Sequence, residues 1–180
     1  MKNKSCMTNL LEFLYRVTTL IDEGDSVDVI YLDFSKAFDK VPKNHLLYKI
    51  KAHNIIGNVH KWISEWLSGR MQSTVLRGSF SEWCKVLSGV PQGSVLGPLA
   101  FIIFINDLDG ETSHISIMNK FADITKIGHK ANIEADKEVL QKALDNLCLW
   151  SDRWCMEFNV IKCKVLHLGK KNKEFEYYIY

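Results

Sequence analysis

The sequence predicts an α+β fold made of one domain. Segments with helical periodicity and segments with strand periodicity alternate irregularly, without a repeat or a low-complexity linker. Turn signals at Gly78-Ser79 and at Ala122-Asp123 each separate two β-rich runs, which predicts two antiparallel hairpins. Since 47% of the 180 residues are hydrophobic and 24% are charged, the chain can form one apolar core.

The first two elements are predicted to be a helix and a buried strand. Residues 8–23 place leucine, valine and isoleucine at helical spacing, and Gly24 follows as a stop signal. Residues 27–34 form a β-rich run whose apolar side chains are typical of a largely covered strand. Asp33 is placed near the C-terminal end of this strand.

In the middle of the chain, the sequence pattern predicts two more helices, a hairpin and a loop. One helix starts at Pro42, and the next carries Trp62 and Trp66 on an apolar stripe and stops at Gly69, so we expect both tryptophans in the core. Residues 71–76 and 82–87 form the first hairpin. The turn-rich segment 88–98 follows and leads into an apolar helix that runs to about Asp107.

The last third predicts a second hairpin, a long helix and a strand. Residues 115–121 and 124–128 pair around Ala122-Asp123, and an apolar stripe from Ile133 to Trp154 follows at helical spacing. Residues 164–168 alternate as in a strand. Residues 170–180 form a strand-like aromatic tail without a later partner, and we expect this tail to be poorly supported.

Composition constrains the environment more than the function. The net charge of +2 permits a nucleic-acid partner without indicating one. The spacing of the five cysteines is not that of a zinc site, so we expect reduced thiols that are mostly packed. The longest apolar run, 95–105, is too short to span a bilayer. These features predict a soluble intracellular protein without a membrane partner, in either the nucleus or the cytoplasm.

Asp33 and Asp123 are the candidate metal ligands. They lie at the ends of separate strands, and adjacent strands would bring both carboxylates to one edge of the sheet. Hard oxygen ligands of this kind suit Mg²⁺, and a pair of such ions supports in-line phosphoryl transfer. The alternative is that these aspartates cap turns or face water, as most strand-end aspartates do.

Three motifs occur in an order that identifies a family resemblance. The segment Tyr31-Leu32-Asp33-Phe34-Ser35-Lys36-Ala37-Phe38-Asp39-Lys40, the loop 88–98, and Phe121-Ala122-Asp123 resemble successive palm motifs of reverse transcriptases. The similarity is to non-LTR retrotransposons of the LINE and jockey kind, and it extends upstream to residues 4–10 and downstream to 150–168. It implies a palm, an antiparallel sheet backed by helices, as a single partial domain over 1–180. Most of the fingers and the thumb are expected to be missing.

The resemblance also implies roles for individual residues. Asp33 and Asp123 would be catalytic and would bind two Mg²⁺ ions, and the backbone at Phe34 would pass beside the triphosphate. Phe38 would act as a steric gate against the ribose 2′-hydroxyl. Gln92 and Gly93 would contact the nucleotide sugar and the template. The implied partners are an RNA template, a DNA primer and dNTPs.

Several of these positions have structural alternatives. Phe38 could pack under the sheet, and Asp39 could cap a helix N-terminus. The glycines at 89, 93 and 97 would let the backbone approach a nucleic-acid strand closely. Lys162 and Lys164 match family positions for basic residues behind the site, but surface lysines are commonplace.

Ile124 departs from the family pattern, in which a second aspartate follows Asp123. With two carboxylates of the usual three, the site loses charge and a ligand, and we expect RNA-directed DNA synthesis to be lost or severely impaired. A noncatalytic nucleic-acid or protein binding module and a functionless retrotransposon-derived fragment are the alternatives.

Overall fold

The described residues, 5–112 and 114–180 of a computed structural model, contain six α-helices and eight β-strands. Lys4, at the start of the upstream motif, lies outside these residues. The helices are α1 (Cys6–Asp22), α2 (Ala37–Lys40), α3 (Lys43–Ala52), α4 (Gly57–Trp66), α5 (Leu96–Phe104) and α6 (Glu134–Arg153). The strands are β1 (Val27–Asp33), β2 (Met71–Gln72), β3 (Val75–Leu76), β4 (Ser79–Phe80), β5 (Cys84–Lys85), β6 (Ile117–Phe121), β7 (Ile124–Lys130) and β8 (Lys164–Leu168). A 3₁₀ helix, Asn106–Thr112, follows α5.

The described residues form two compact units. Residues up to Ser35 combine with residues from Asp107 onward into a sheet unit, and Lys36–Asn106 form a second unit. We refer to them as the sheet unit and the 36–106 unit. The sequence predicts a single domain because no linker composition marks the points where the chain leaves and rejoins the sheet unit.

The sheet unit is built on a four-stranded antiparallel sheet in the order β6-β7-β1-β8. Val27, Val29, Ile30 and Leu32 of the central strand β1 are all buried, because helices cover the sheet. On one side, Phe13 and Val17 of α1 pack in a cluster with strand residues. The predicted strands, the second hairpin and the α+β class are confirmed.

Asp28 is a fully buried carboxylate in the middle of this sheet. His167 Nδ1 and Asn172 Nδ2 each lie 2.8 Å from its Oδ1, and the Tyr177 hydroxyl donates to Oδ2 at 2.8 Å. Burial and the hydrogen bond to Asp28 raise the pKa of Tyr177 well above its usual value, so the phenol keeps the proton that it donates. A buried charge needs such partners, since an unpaired one is costly.

Residues 170–180 contain no strand, unlike the strand-like tail suggested by their composition. Asn172 and Tyr177 bond to Asp28, and the side chain of Gln141 on α6 exchanges two hydrogen bonds with the backbone of Tyr178. Polar contacts therefore connect this segment to the sheet and to α6.

The 36–106 unit contains α2 to α5 and the first hairpin. Lys49 on α3 is buried, and its Nζ donates to the Phe104 carbonyl on α5 at 2.6 Å. The hairpin forms two short ladders, β2 with β5 and β3 with β4. Its tip is Arg77-Gly78, one residue earlier than predicted, and both residues have positive φ (50° and 82°), as a tight two-residue turn requires.

The prediction that the α4 tryptophans lie in the core is wrong. No residue of α4 is buried, and Trp62 is 54% exposed. The prediction of mostly packed cysteines is also wrong, since Cys6, Cys84 and Cys155 are exposed. In both cases local sequence says which side chains are apolar but not whether another element covers them. No helix among the described residues is long and apolar enough to cross a membrane.

Candidate active site

The two candidate aspartates lie at one edge of the sheet. Asp33 is the last residue of β1, and its Cα partner on β7 is Ile124, the first residue of that strand. Asp123 immediately precedes Ile124 in the turn between β6 and β7. The predicted adjacency of the two strand ends is therefore present in the sheet, and Asp33 remains 21% exposed at its side chain.

The turn that carries Asp123 is tight and contains a strained residue. Phe121 pairs with Ile124, so only Ala122 and Asp123 lie between the strands. Ala122 has a φ of 52°, a conformation that residues with a Cβ rarely adopt. Such backbone outliers cluster at functional turns, where the surrounding structure imposes them.

Ile124, at the position where the resemblance implies a second aspartate after Asp123, is the strand partner of Asp33. Directly opposed residues of an antiparallel pair project from the same face with Cβ atoms roughly 5 Å apart. Ile124 is directly opposite Asp33, and its side chain is exposed. Among the residues that the structure describes, no group of three or more His, Cys, Asp or Glu side chains is placed to hold a metal ion.

Lys162 forms an ion pair with the candidate metal ligand. Its Nζ lies 3.2 Å from Asp33 Oδ2, although the lysine side chain is 62% exposed. The backbone nearby is held by the Asn159 amide, which donates to the Asp33 carbonyl at 2.7 Å. The resemblance implies only a basic residue behind the site at this position, because the chain reversal that returns Lys162 to β1 leaves no local pattern in the sequence. Lys164 lies on β8, opposite Tyr31.

Phe34 directs its side chain into the sheet unit. It is 2% exposed, and its ring stacks on Phe158 with centroids 4.6 Å apart. A nucleotide-contacting role at this position, as the resemblance implies, is therefore limited to the backbone.

The loop 88–98 lies against the segment that follows the first motif. The Val90 amide donates to the Phe38 carbonyl at 2.8 Å, and the Ser88 hydroxyl donates to the Asp39 carbonyl at 2.7 Å. A Cβ at Gly89 would lie 2.7 Å from the Asp39 backbone, and one at Gly97 would lie 2.6 Å from the Pro91 carbonyl oxygen. These two glycines allow close approach of the chain to itself, a packing role that the sequence pattern did not indicate.

Gly93 is different because open space surrounds it. It has a φ of +76°, and no atom lies within 4 Å of an added Cβ. The preceding residue, Gln92, is oriented by its own hydrogen bond, in which Nε2 donates to Asp39 Oδ1 at 3.0 Å. Gln92 and Gly93 are therefore presented on an accessible part of the loop.

Phe38 and Asp39 both take part in contacts inside the 36–106 unit. Phe38 is half-buried and stacks on Phe101 of α5, with centroids 4.7 Å apart. Asp39 lies within α2, whose N-cap is Lys36, so the N-cap alternative for Asp39 is wrong. Its carboxylate orients Gln92 instead, a partnership across 53 positions that no local pattern signals.

The predicted site residues thus fall into two sets. Asp33, Phe34 and Asp123 belong to the sheet unit, where the strand register brings the two aspartates to one edge. Phe38, Gln92 and Gly93 belong to the 36–106 unit, where the loop is bonded to the Phe38-Asp39 segment.

Residues 2–180 match the family model described as reverse transcriptase (RNA-dependent DNA polymerase). The chain is 29% identical over 163 residues to the RNA-directed DNA polymerase from mobile element jockey of Drosophila funebris, covering 84% of this chain and 18% of that protein. It is 31% identical over 140 residues to the jockey polymerase of Drosophila melanogaster, covering 74% and 15%. The chain therefore spans less than a fifth of the length of these relatives.

Solved structures with the same fold include two yeast telomerases in complex with a fragment of telomeric RNA. The Candida tropicalis structure has a TM-score of 0.66 at 10% identity, covering 98% of this chain and 31% of that one. The Candida albicans structure also has a TM-score of 0.66, at 12% identity, covering 97% and 33%. The expected non-LTR, LINE-like resemblance is confirmed by the matches to jockey elements. Because the family match extends over nearly the whole chain, this protein belongs to the reverse transcriptase family.

Proposed function

We propose that this chain carries the palm part of an RNA-directed DNA polymerase, with Asp33 and Asp123 as its metal ligands and with strongly reduced catalysis. The observation that carries the proposal is the β1–β7 register, in which Asp33 pairs with the residue after Asp123. This register supports convergence of the two carboxylates at one accessible edge. The substrates proposed are an RNA template, a DNA primer and dNTPs.

The carboxylates of Asp33 and Asp123 fit one Mg²⁺ ion. They fit a pair of Mg²⁺ ions less well. Carboxylate oxygens are the protein ligands that Mg²⁺ prefers, and one or two of them commonly suffice with water and substrate phosphates. The ion pair with Lys162 indicates that the Asp33 carboxylate is accessible to a cation. When bound, the metal would polarise the phosphoryl oxygens and the primer hydroxyl. The protein contributes the ligands and their spacing.

The 36–106 unit supplies the candidate nucleotide contacts. Asp39 holds the amide of Gln92, and the open side of Gly93 leaves room for a sugar or a template strand. Phe38 is supported from behind by Phe101, which fits a rigid steric gate beside the ribose 2′-hydroxyl. A loosely held phenylalanine would discriminate less between ribose and deoxyribose.

Ile124 is the reason for proposing reduced catalysis. It stands directly opposite Asp33, where a carboxylate would add a third ligand. Loss of one preorganised electrostatic group typically lowers a rate by about 10² to 10³, and loss of a metal ion costs more.

Primer extension on an RNA template tests the proposal. With Mg²⁺ or Mn²⁺, the purified chain should show no detectable extension, and the same palm grafted into an intact related enzyme should gain activity on Ile124→Asp. Robust extension by the unmodified chain, abolished by Asp33→Ala, would contradict the reduced catalysis. Salt-dependent binding of primer–template without extension, unchanged by Ile124→Asp in the graft, would favour a noncatalytic binding module.

A further inference from the structure

The 36–106 unit is strongly basic, although the whole chain is nearly neutral. It contains nine lysine or arginine residues and three acidic ones, Asp39, Glu65 and Glu82. Its net charge is therefore +6, and since the chain carries +2, the remaining residues carry −4. A local excess of this size attracts polyanions to this unit.

Helix α4 presents an apolar face that is only partly covered, although α3 lies against this helix. Val59, Trp62, Ile63 and Trp66 recur at helical spacing, yet no residue of the helix is buried. Val59 is 58% exposed and Trp62 is 54% exposed. Exposed apolar faces of this kind mark interaction sites.

The two tryptophans on this face form a stacking platform. Their ring centroids are 6.2 Å apart, and their planes deviate from parallel by only 6°. Because Trp62 is more than half exposed, an aromatic base can continue the stack. Stacking of unpaired bases on aromatic side chains is the sequence-tolerant way in which proteins hold single strands.

Two basic side chains, one on α4 and one on the neighbouring helix α3, have no internal counter-charge among the described residues. Lys51 lies in the last turn of α3 and Lys61 precedes Trp62, and neither forms an ion pair with another described residue. Lys49 of the same α3 turn is instead buried against the Phe104 carbonyl. Glu65 is a single opposing charge on α4.

We propose that α4, with the end of α3, binds single-stranded nucleic acid. Bases stack on Trp62 and Trp66, and Lys51 and Lys61 contact phosphates. The site lies wholly within the 36–106 unit and does not involve Asp33 or Asp123, so it does not rest on the proposed polymerase activity. The basic charge and the parallel indoles favour a nucleic acid over a protein helix, for which the aliphatic Val59 would matter as much as Trp62.

Binding of a fluorescent oligouridine to the full chain tests this site. The oligomer should exceed the roughly 4 to 16 nucleotides that one binding module covers, and EDTA keeps the assay independent of metal at the Asp33 edge. Trp62→Ala should raise Kd about tenfold, and Trp62→Phe should raise it less. Val59→Ala, a change on the same face at similar exposure, should leave Kd unchanged. Lys51→Gln combined with Lys61→Gln should reduce the slope of log Kd against log salt by about 0.7 per lysine.

Three results would overturn the proposal. The first is an unchanged Kd for Trp62→Ala in a variant whose circular dichroism is normal. The second is equal weakening by Val59→Ala, which would indicate an apolar surface for a protein partner. The third is equally tight binding of duplex RNA, because paired bases cannot stack on the indoles.

Discussion

The central strand of the sheet unit and helix α4 of the 36–106 unit differ in how completely their side chains are covered. Strand β1 has neighbours on both sides, and its buried Asp28 has three side-chain partners. Helix α4, by contrast, buries none of its residues, and the strands of the first hairpin are exposed. The comparison shows that amphipathic periodicity defines an apolar face, but that only tertiary contacts decide whether this face becomes core or surface.

The largest effect is expected at Asp28. Asp28→Ala removes the acceptor that the partly buried side chains of His167, Asn172 and Tyr177 share. Because three hydrogen bonds to one buried carboxylate are lost, we expect the sheet unit to be destabilised by about 3 kcal/mol. Tyr177→Phe, which removes one donor, should cost about 1 kcal/mol. Hydrogen exchange of β1 and β8 peptides measures both changes. If Asp28→Ala left this protection intact, the hydrogen bonds to Asp28 would not contribute to the stability of the sheet unit.

The next largest effect tests the packing of the 36–106 unit. Gly89→Ala places a Cβ 2.7 Å from the Asp39 backbone at a φ of +83°, so we expect a loss of more than about 2 kcal/mol. Gly93→Ala is a matched control at a φ of +76° with open surroundings, and it should cost about 1 kcal/mol. Hydrogen exchange of peptides from α2 and α5 measures the difference in stability between the two variants. Equal losses at the two positions would show that the loop is not packed as described.

A smaller effect is expected from restoring the missing carboxylate. Without metal, Ile124→Asp faces Asp33 across the strands, and this like-charge pair should destabilise the sheet unit by up to about 1 kcal/mol. Mn²⁺ should then raise the melting temperature of this variant more than that of the parent, with about tenfold tighter binding because a ligand and a charge are added.

Ile124→Asn provides the neutral control for that experiment. It should show neither the destabilisation without metal nor the added response to Mn²⁺. An identical metal response in the Asp and Asn variants would show that a carboxylate at position 124 adds no ligand to the candidate site.

The smallest effect is expected in the turn between β6 and β7. Ala122→Gly should stabilise the sheet unit by about 0.5 to 1 kcal/mol, because glycine adopts the φ of 52° without steric cost. Ala100→Gly in α5 is the opposite control, since this buried helical position should lose at least about 1 kcal/mol. Thermal unfolding measures the expected gain in stability for Ala122→Gly and the expected loss for Ala100→Gly. Destabilisation by Ala122→Gly would argue against a strained turn.

Much of the fold could be predicted from local pattern. The strand at β1, the β6–β7 hairpin and helix α6 follow from apolar periodicity and turn residues that act over a few positions. The placement of Asp33 beside the residue after Asp123 required one further step, the pairing of β1 with β7 across about ninety positions. Long-range pairing leaves no local signal, which also explains why the partners of Asp28 were not foreseen.

The sequence by itself determined the family, the order of the motifs and the absence of an aspartate at 124, because these depend on residue identity alone. Tertiary structure decided that Gly89 and Gly97 serve the packing of the chain, that Asp39 orients Gln92, and that Lys162 meets Asp33. It also decided that Trp62 lies at the surface. Each of these outcomes depends on which distant segment approaches the residue, and the free energy of that approach is a property of the whole fold.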